Sequence, residues 1–361
     1  MKKSAVRARI RQLCGLGVPA ELLMAQLLPT LRELIPSDSA GFAWVDARGE
    51  IRNLYTERLS SPVSSGSDRD TTLRKSFLAC SEAPDGIVTG CVGGDKRYAA
   101  FGHDLLRPPG AHHALFGIVR EQSAALGQIC FYRTARAQAF AEDERADLAS
   151  VIRYVAHGLT SKEVRTAGDQ LAFAYEDSEE EAMLVTDASG SIRFASDNGL
   201  RLLLLATVSE ITPASLGSAV GEGAARTIKA LCARLEAGAR GLEKAPSAIT
   251  LDSKWGRFVL RGYRLRDGSA REARIGLRIQ RQVPMILRFV KAMARQPLSP
   301  QQREIALQIA LGRGNAEISD RLGVSLNTVA YHVKQLFLRL DVHTRTEAVE
   351  KIAWGGVALP A

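Results

Sequence analysis

Asn327, Tyr331 and Lys334 follow one another at spacings of four and three residues inside GVSLNTVAYHVKQLFLRLDVHTRTEAV, which runs from Gly323 to Val349. At about 100° per helical residue they share one arc, bordered by Ala330 and Gln335. The opposite arc carries Val329, Val333, Leu336 and Leu340. Amide, phenol and ammonium groups hydrogen-bond base edges or phosphates, and a helix has the diameter of a major groove. Ser325 is placed to cap this helix, whose free first-turn N–H groups suit an anion. The same pattern also fits a small helical domain with a polar outer face.

The elements that would position this helix are written in local signals. Ser299-Pro300-Gln301-Gln302 opens a helix with a serine cap, proline at the first position and a glutamine three residues on. Gly312 to Gly314 ends that helix, and Asn315 is expected to cap a short one over AEISDRL. Gly323 closes the short helix in a tight turn. Thr344-Arg345-Thr346-Glu347 is a further capping box. A short helix, a turn of about three residues containing glycine, and a longer helix make a helix-turn-helix arrangement.

The run LSPQQREIALQIALGRGNAEISDRLGVSLNTVAYHVKQLFLRLDVHTRTEAV resembles the DNA-binding domain of LuxR-type (LuxR/GerE family) transcriptional regulators. The matching features are LSPQQRE, Gly312-x-x-Asn315-x-Glu317-Ile318, the stretch Leu322 to Val329, His332, Leu340-x-Val342 and Thr344-Arg345-Thr346. The resemblance implies that Asn315 to Lys334 holds the two helices of the motif. It implies base or backbone contacts at Ala330, Tyr331 and Lys334, phosphate contacts near Asn327 and Thr328, and a fourth helix often used for dimerisation. Asn315, Ser325 and Gln335 complete the expected DNA-binding set. Ala330 departs from the family, which usually carries lysine there.

Charge raises a separate question. The 361-residue chain has a net charge of +9, which favours anionic partners. Residues 296–361 hold seven Lys/Arg and six Asp/Glu, whereas residues 254–295 hold twelve and two. The positive charge therefore precedes the helix-turn-helix. It is read as a solvated arginine face, as an auxiliary phosphate surface including Arg274 and Arg278, or as a partner for the acidic run Glu176 to Glu181. That run itself reads as a solvated domain boundary.

The length suggests two or three domains. In the first block, GFAWV, EIRNLY, ALFGIVRE and LGQICFYR read as strands, with a helix from about Ala141 carrying Leu148, Ile152, Val155 and Leu159. In the second, AMLVTDASGSIRFAS is strand, turn and strand, followed by NGLRLLLLA as helix and two strands at RFVLRGYRLR and ARIGLRIQR. LGQICFYRTARAQAFAEDERADLASVI is similar to the last strand and helix of GAF domains, and AMLVTDASGSIRFASDNGLRLLLLA to the start of PAS domains. The expected organisation is a GAF-like sensor domain at 1–158, a connecting helix at 159–177, a PAS-like domain at 178–290 and the helix-turn-helix domain at 296–361. The fold class is multidomain: α+β sensor domains with antiparallel sheets, then an all-α domain of four helices.

Several function classes find no support. No nucleophile is paired with a base at a telling spacing, so the reading is not an enzyme. No metal-ligand spacing appears, and the sequence places no haem or flavin, leaving any cofactor unassigned. Receiver-domain, acyl-homoserine-lactone-domain and ATP-binding P-loop signatures are missing. Five scattered cysteines suit a reducing compartment, and no apolar run is long enough for a membrane span, so the reading is cytoplasmic. The expected partners are double-stranded DNA and a second copy of the chain, without a membrane. A small-molecule ligand in a sensor domain and RNA polymerase are compatible additions. The competing reading is an adaptor that uses the same helical domain for protein contacts.

Overall fold

The computed structural model describes residues 3–46, 49–57, 77–91, 108, 110–161, 174–187, 189–212, 215, 222–239, 248–265 and 274–355. The loop SSPVSSGSDRD and the DGSA turn lie outside them. The first domain begins with α1 (Lys3–Cys14) and α2 (Ala20–Leu34). Strands β1 (Ser39–Val45), β2 (Ile51–Thr56), β3 (Ile87–Cys91), β4 (Ala111–Glu121) and β5 (Ala124–Thr134) follow, then α3 (Glu142–Thr160). The strands form one antiparallel sheet in the order β2-β1-β5-β4-β3.

Helix α3 lays Leu148, Val151 and Val155, all fully buried, on its core face. Gly158, an unfavourable helix residue by propensity, has a packing role. A Cβ there would meet Leu23 at 2.7 Å and Cys14 at 3.0 Å. It lets α1, α2 and α3 approach one another.

The expected connecting helix, 159–177, falls mostly outside the described residues, and its last three residues are strand. Helix α3 stops at Thr160, where Ser161 folds its hydroxyl back onto the His157 carbonyl. Residues 162–173 lie outside the described set, and strand begins at Tyr175, three residues before the expected domain start. Residues 175–177 extend the sheet because they continue its ladder against β10, with Tyr175 opposite Pro284.

The second domain comprises β6 (Tyr175–Thr186), β7 (Ile192–Ala195), α4 (Gly199–Thr207), α5 (Glu222–Ala239), β8 (Ala248–Ser253), β9 (Gly256–Leu265) and β10 (Arg274–Pro284). Its sheet order is β7-β6-β10-β9-β8, the same path through five strands as the first domain. The first hairpins match in sequence too, DARGEIR at 46–52 and DASGSIR at 187–193. Asp46 Oδ1 accepts from the Glu50 N–H at 2.9 Å, and Asp187 Oδ1 from the Ser191 N–H at 3.0 Å. Each aspartate also holds the arginine of its returning strand, Arg52 at 2.6 Å and Arg193 at 2.8 Å. Gly49 and Gly190, at φ of 76° and 86°, supply the left-handed turn residue.

The acidic run is not a solvated boundary. It lies in β6, and its partners stand on β10 and on the helix α6 (Met285–Met293) that leaves β10 directly. Glu181 pairs with Arg278 at 2.6 Å and Glu179 with Lys291 at 2.6 Å. Glu180 accepts from both Arg281 and Arg201. Arg281 is fully buried, and its Nε donates to the Trp255 carbonyl at 2.9 Å. Four of the run's five acids thus pair with the basic stretch on β10 and α6, one of the readings that the sequence left open.

The two α+β domains share a seam. Trp255, in the β8–β9 turn, stacks on Tyr55 of β2 at 5.5 Å and meets Trp44 of β1 edge-on at 5.9 Å. Asn53 Oδ1 accepts from the Ile211 N–H at 2.8 Å. The remaining helices are α7 (Pro300–Ala310), α8 (Asn315–Leu322), α9 (Leu326–Leu340) and α10 (Arg345–Trp354). Helix α6 packs against α10, α7 and α1, so it joins the sheet of the second domain to the C-terminal helices.

Candidate nucleic-acid interface

Each C-terminal helix begins as its local chemistry requires. Ser299 accepts from the Gln302 N–H at 3.2 Å, while Gln302 Oε1 accepts from the Ser299 N–H at 2.9 Å. Gln302 Oε1 also accepts from Arg339 of α9 at 3.0 Å, tying the first helix to the long one. Thr344 accepts from the Glu347 N–H at 3.1 Å, and Glu347 takes the His343 N–H at 2.8 Å. Between α8 and α9 stand three residues, with Gly323 at φ 63° as the left-handed cap.

Ser325 caps α9, accepting from the Thr328 N–H at 3.1 Å, and its hydroxyl lies 2.8 Å from Thr328 Oγ1. The apolar arc is as expected: Val329 and Leu336 are fully buried and Leu340 nearly so, with Val333 packed beside them. On the other side Asn327, Ala330, Tyr331 and Lys334 are exposed, and Thr328 and Gln335 are half-buried at the edges. The structure brings these six together with Ser325 on the outer face of one helix.

Asn315 stands apart from that group. The N-cap is Gly314, whose N–H donates to Glu317 Oε2 at 2.8 Å; Asn315 is the first helical residue. Its Oδ1 accepts from Arg345 at the start of α10. It therefore fastens α8 to α10.

Arg278 is held by Glu181, and the Arg274 guanidinium lies 5.9 Å from the Phe194 ring. Both stand on β10, remote in sequence from α9. Two residues of the outer face were not foreseen. Leu326 is 51% and Leu338 66% exposed. Leu338 follows Lys334 by four residues and Tyr331 by seven, so helical periodicity alone places it on that stripe.

No group of three or more His, Cys, Asp or Glu is arranged to hold a metal ion among the described residues. Burial pushes the thiols of Cys14 and Cys80 up to about 12, which makes both inert at neutral pH. Cys91 differs, with its Sγ 3.0 Å from His113 Nδ1.

Helices α7 to α10, with the α8–turn–α9 pair and its exposed polar stripe, define a helix-turn-helix domain. Residues 296–352 match the family of bacterial regulatory proteins of the luxR type, and this C-terminal domain belongs to that family. Over 51 residues the chain is 45% identical to a protein of Escherichia coli strain K12 described as the HTH-type transcriptional regulator YhjB. Over 52 residues it is 42% identical to the transcriptional regulatory protein SgaR of Hyphomicrobium methylovorum. Each match covers 14% of this chain, and 26% and 25% of the two relatives, so the likeness spans about a quarter of their length. The sensor region of a sensor histidine kinase aligns over 74% of this chain and 90% of that one, at 14% identity. Its TM-score of 0.20 is too low to bear on fold or function. No described helix is long and apolar enough to cross a membrane.

Proposed function

We propose that the protein is a sequence-specific DNA-binding transcriptional regulator of the cytoplasm. In this reading α9 enters the major groove of double-stranded DNA. The observation that carries the proposal is the exposed stripe of Asn327, Ala330, Tyr331 and Lys334 on a helix whose other face is buried. Tyr331 and Lys334 reach base edges or backbone, and Ala330 meets an apolar edge such as a thymine methyl. Asn327, Thr328 and the first-turn N–H groups meet phosphate. Arg278 is neutralised by Glu181, so the recognition helix carries the contact.

The two α+β domains act as GAF-like and PAS-like sensors. They pair two chains and set the spacing of two recognition helices, about 34–36 Å for half-sites one turn apart. A signal acts by shifting that equilibrium, and RNA polymerase is the downstream partner. The test is a gel shift of genomic fragments at low and moderate salt. The expected result is a sequence-preferred complex of a dimer. A dimer with no preferred complex at any salt defeats the reading.

One observation favours a second reading, an adaptor without DNA. Leu338, exposed on the same stripe, suits a protein surface better than a phosphate backbone. Leu338→Gln separates the two: DNA affinity survives in a regulator, and partner capture is lost in an adaptor.

A further inference from the structure

A cavity of about 380 Å³ lies where α1 of the first domain faces α6 and α7, the helices that lead into and open the helix-turn-helix domain. Its size falls within the range of small-molecule sites. The walls are mostly apolar. Ala5 and Ala8 stand on α1, Val290 and Met293 on α6, and Pro300 at the start of α7. The two alanines leave room that a longer side chain on α1 would take.

Four charged groups also line the cavity: Arg9, Arg11, Arg303 and Glu304. Arg9 pairs with Glu33, which stands outside the lining. Glu304 lies 3.6 Å from Arg11 and accepts from Gln12 at 3.2 Å and from Gln308 at 3.3 Å. Arg303 is left over. Its Nη2 donates to the Gln296 carbonyl at 3.2 Å, and no carboxylate pairs with it among the described residues. Its Nη1 meets no acceptor among them either and, unlike its buried Nε, keeps contact with solvent. The lining thus carries one uncompensated positive charge.

A neutral guest leaves that charge without a partner, and a cation is repelled by it. A phosphate ester brings close to two negative charges at neutral pH, whereas a carboxylate brings one. The apolar walls favour an apolar body through the area removed from water. We infer that this cavity binds a monocarboxylate with an apolar body. The carboxylate takes a charge-assisted bond from Arg303 Nη1. The body lies between Ala5 and Ala8 on one side and Val290 and Met293 on the other. The inference deepens the reading of the chain as a signal-responsive regulator and rests on it. Gln12 and Glu304 tie the first domain to α7, and the cavity lies beside that tie. A bound acid adds contacts between α1 and α7 and so favours the arrangement in which the first domain holds the helix-turn-helix domain.

The test uses the full chain without DNA. Calorimetric titration with hexanoate, octanoate and phenylacetate is compared with acetate, octanol and octylammonium. The expected result is that at least one of the three acids binds below about 1 mM while none of the three controls does. Arg303→Gln weakens that binding by about tenfold or more, and Ala8→Phe, which fills the cavity without changing its charge, abolishes it. Arg303 is half-buried and its side chain makes one hydrogen bond among the described residues, so Arg303→Gln decides the matter even where Ala8→Phe fails to fold. No acid binding, a control binding as tightly as the best acid, or Arg303→Gln binding like the unaltered chain overturns the inference. Acid binding by a chain that binds no DNA would refute the regulator reading alone, and the reverse result this inference alone.

Discussion

Replacing Glu180 by glutamine changes acid stability in a way that the structure sets in advance. Burial of the Glu180 carboxyl pushes its pKa up, but the Arg281 and Arg201 guanidiniums outweigh this and hold it at about 2, against an ordinary 4.5. At about 1.36 kcal/mol per unit the difference is worth about 3 kcal/mol of stability. The folded value is the lower one, so this stability is fully present above about pH 4.5 and is lost as pH falls from there towards 2. Glu180→Gln also leaves the fully buried Arg281 without its carboxylate, with a cost at neutral pH of about 3–5 kcal/mol. Urea unfolding followed by circular dichroism from about pH 7 to about pH 3 measures both effects. The variant starts lower, and its curve then falls less steeply than that of the unaltered chain. Glu181→Gln is the control, because the Glu181–Arg278 pair is exposed and worth about 0–1 kcal/mol. Parallel curves for Glu180→Gln and the unaltered chain, or an equal effect of Glu181→Gln, would refute the reasoning.

Other outcomes follow from the same geometry. Lys334→Gln lowers the slope of log affinity against log salt by about 1 in gel shifts, while Arg278→Gln leaves it unchanged because Glu181 already neutralises that arginine. Tyr331→Ala leaves the melting temperature unchanged, since the residue is 59% exposed, but costs about 1–3 kcal/mol of discrimination between specific and scrambled DNA. Gly158→Ala places a methyl 2.7 Å from Leu23 and destabilises the first domain by about 1–3 kcal/mol in urea unfolding.

What the sequence made legible was whatever is decided locally. Ser299, Ser325 and Thr344 announce helix starts through side chains that bond within three residues, and α9 shows its two faces by periodicity alone. Gly314 displaced Asn315 as a cap because the amide was taken by Arg345, thirty residues away in the chain. The acidic run misled for a similar reason. Its neutralising partners on β10 and α6 lie about a hundred residues on, so five acids within six residues read as a solvated stretch, and their pairing was only one of three readings of the basic run. Strand β3 is short and carries no clean alternation, and only its neighbour in the sheet reveals it, whereas Ile249 and Leu251 of β8 alternate with Thr250 and Asp252 over too few residues to stand out. The shared D-A-x-G-x-I-R hairpin was available to a self-comparison of the chain, and its meaning emerged once both sheets showed one strand order.

Genome-wide footprinting of the bound protein decides whether α9 reads DNA sequence. Protected sites share a sequence preference and are lost in a Tyr331→Ala, Lys334→Gln double variant that stays folded. Uniform, sequence-independent protection, or a pattern that the double variant leaves intact, would show that α9 does not.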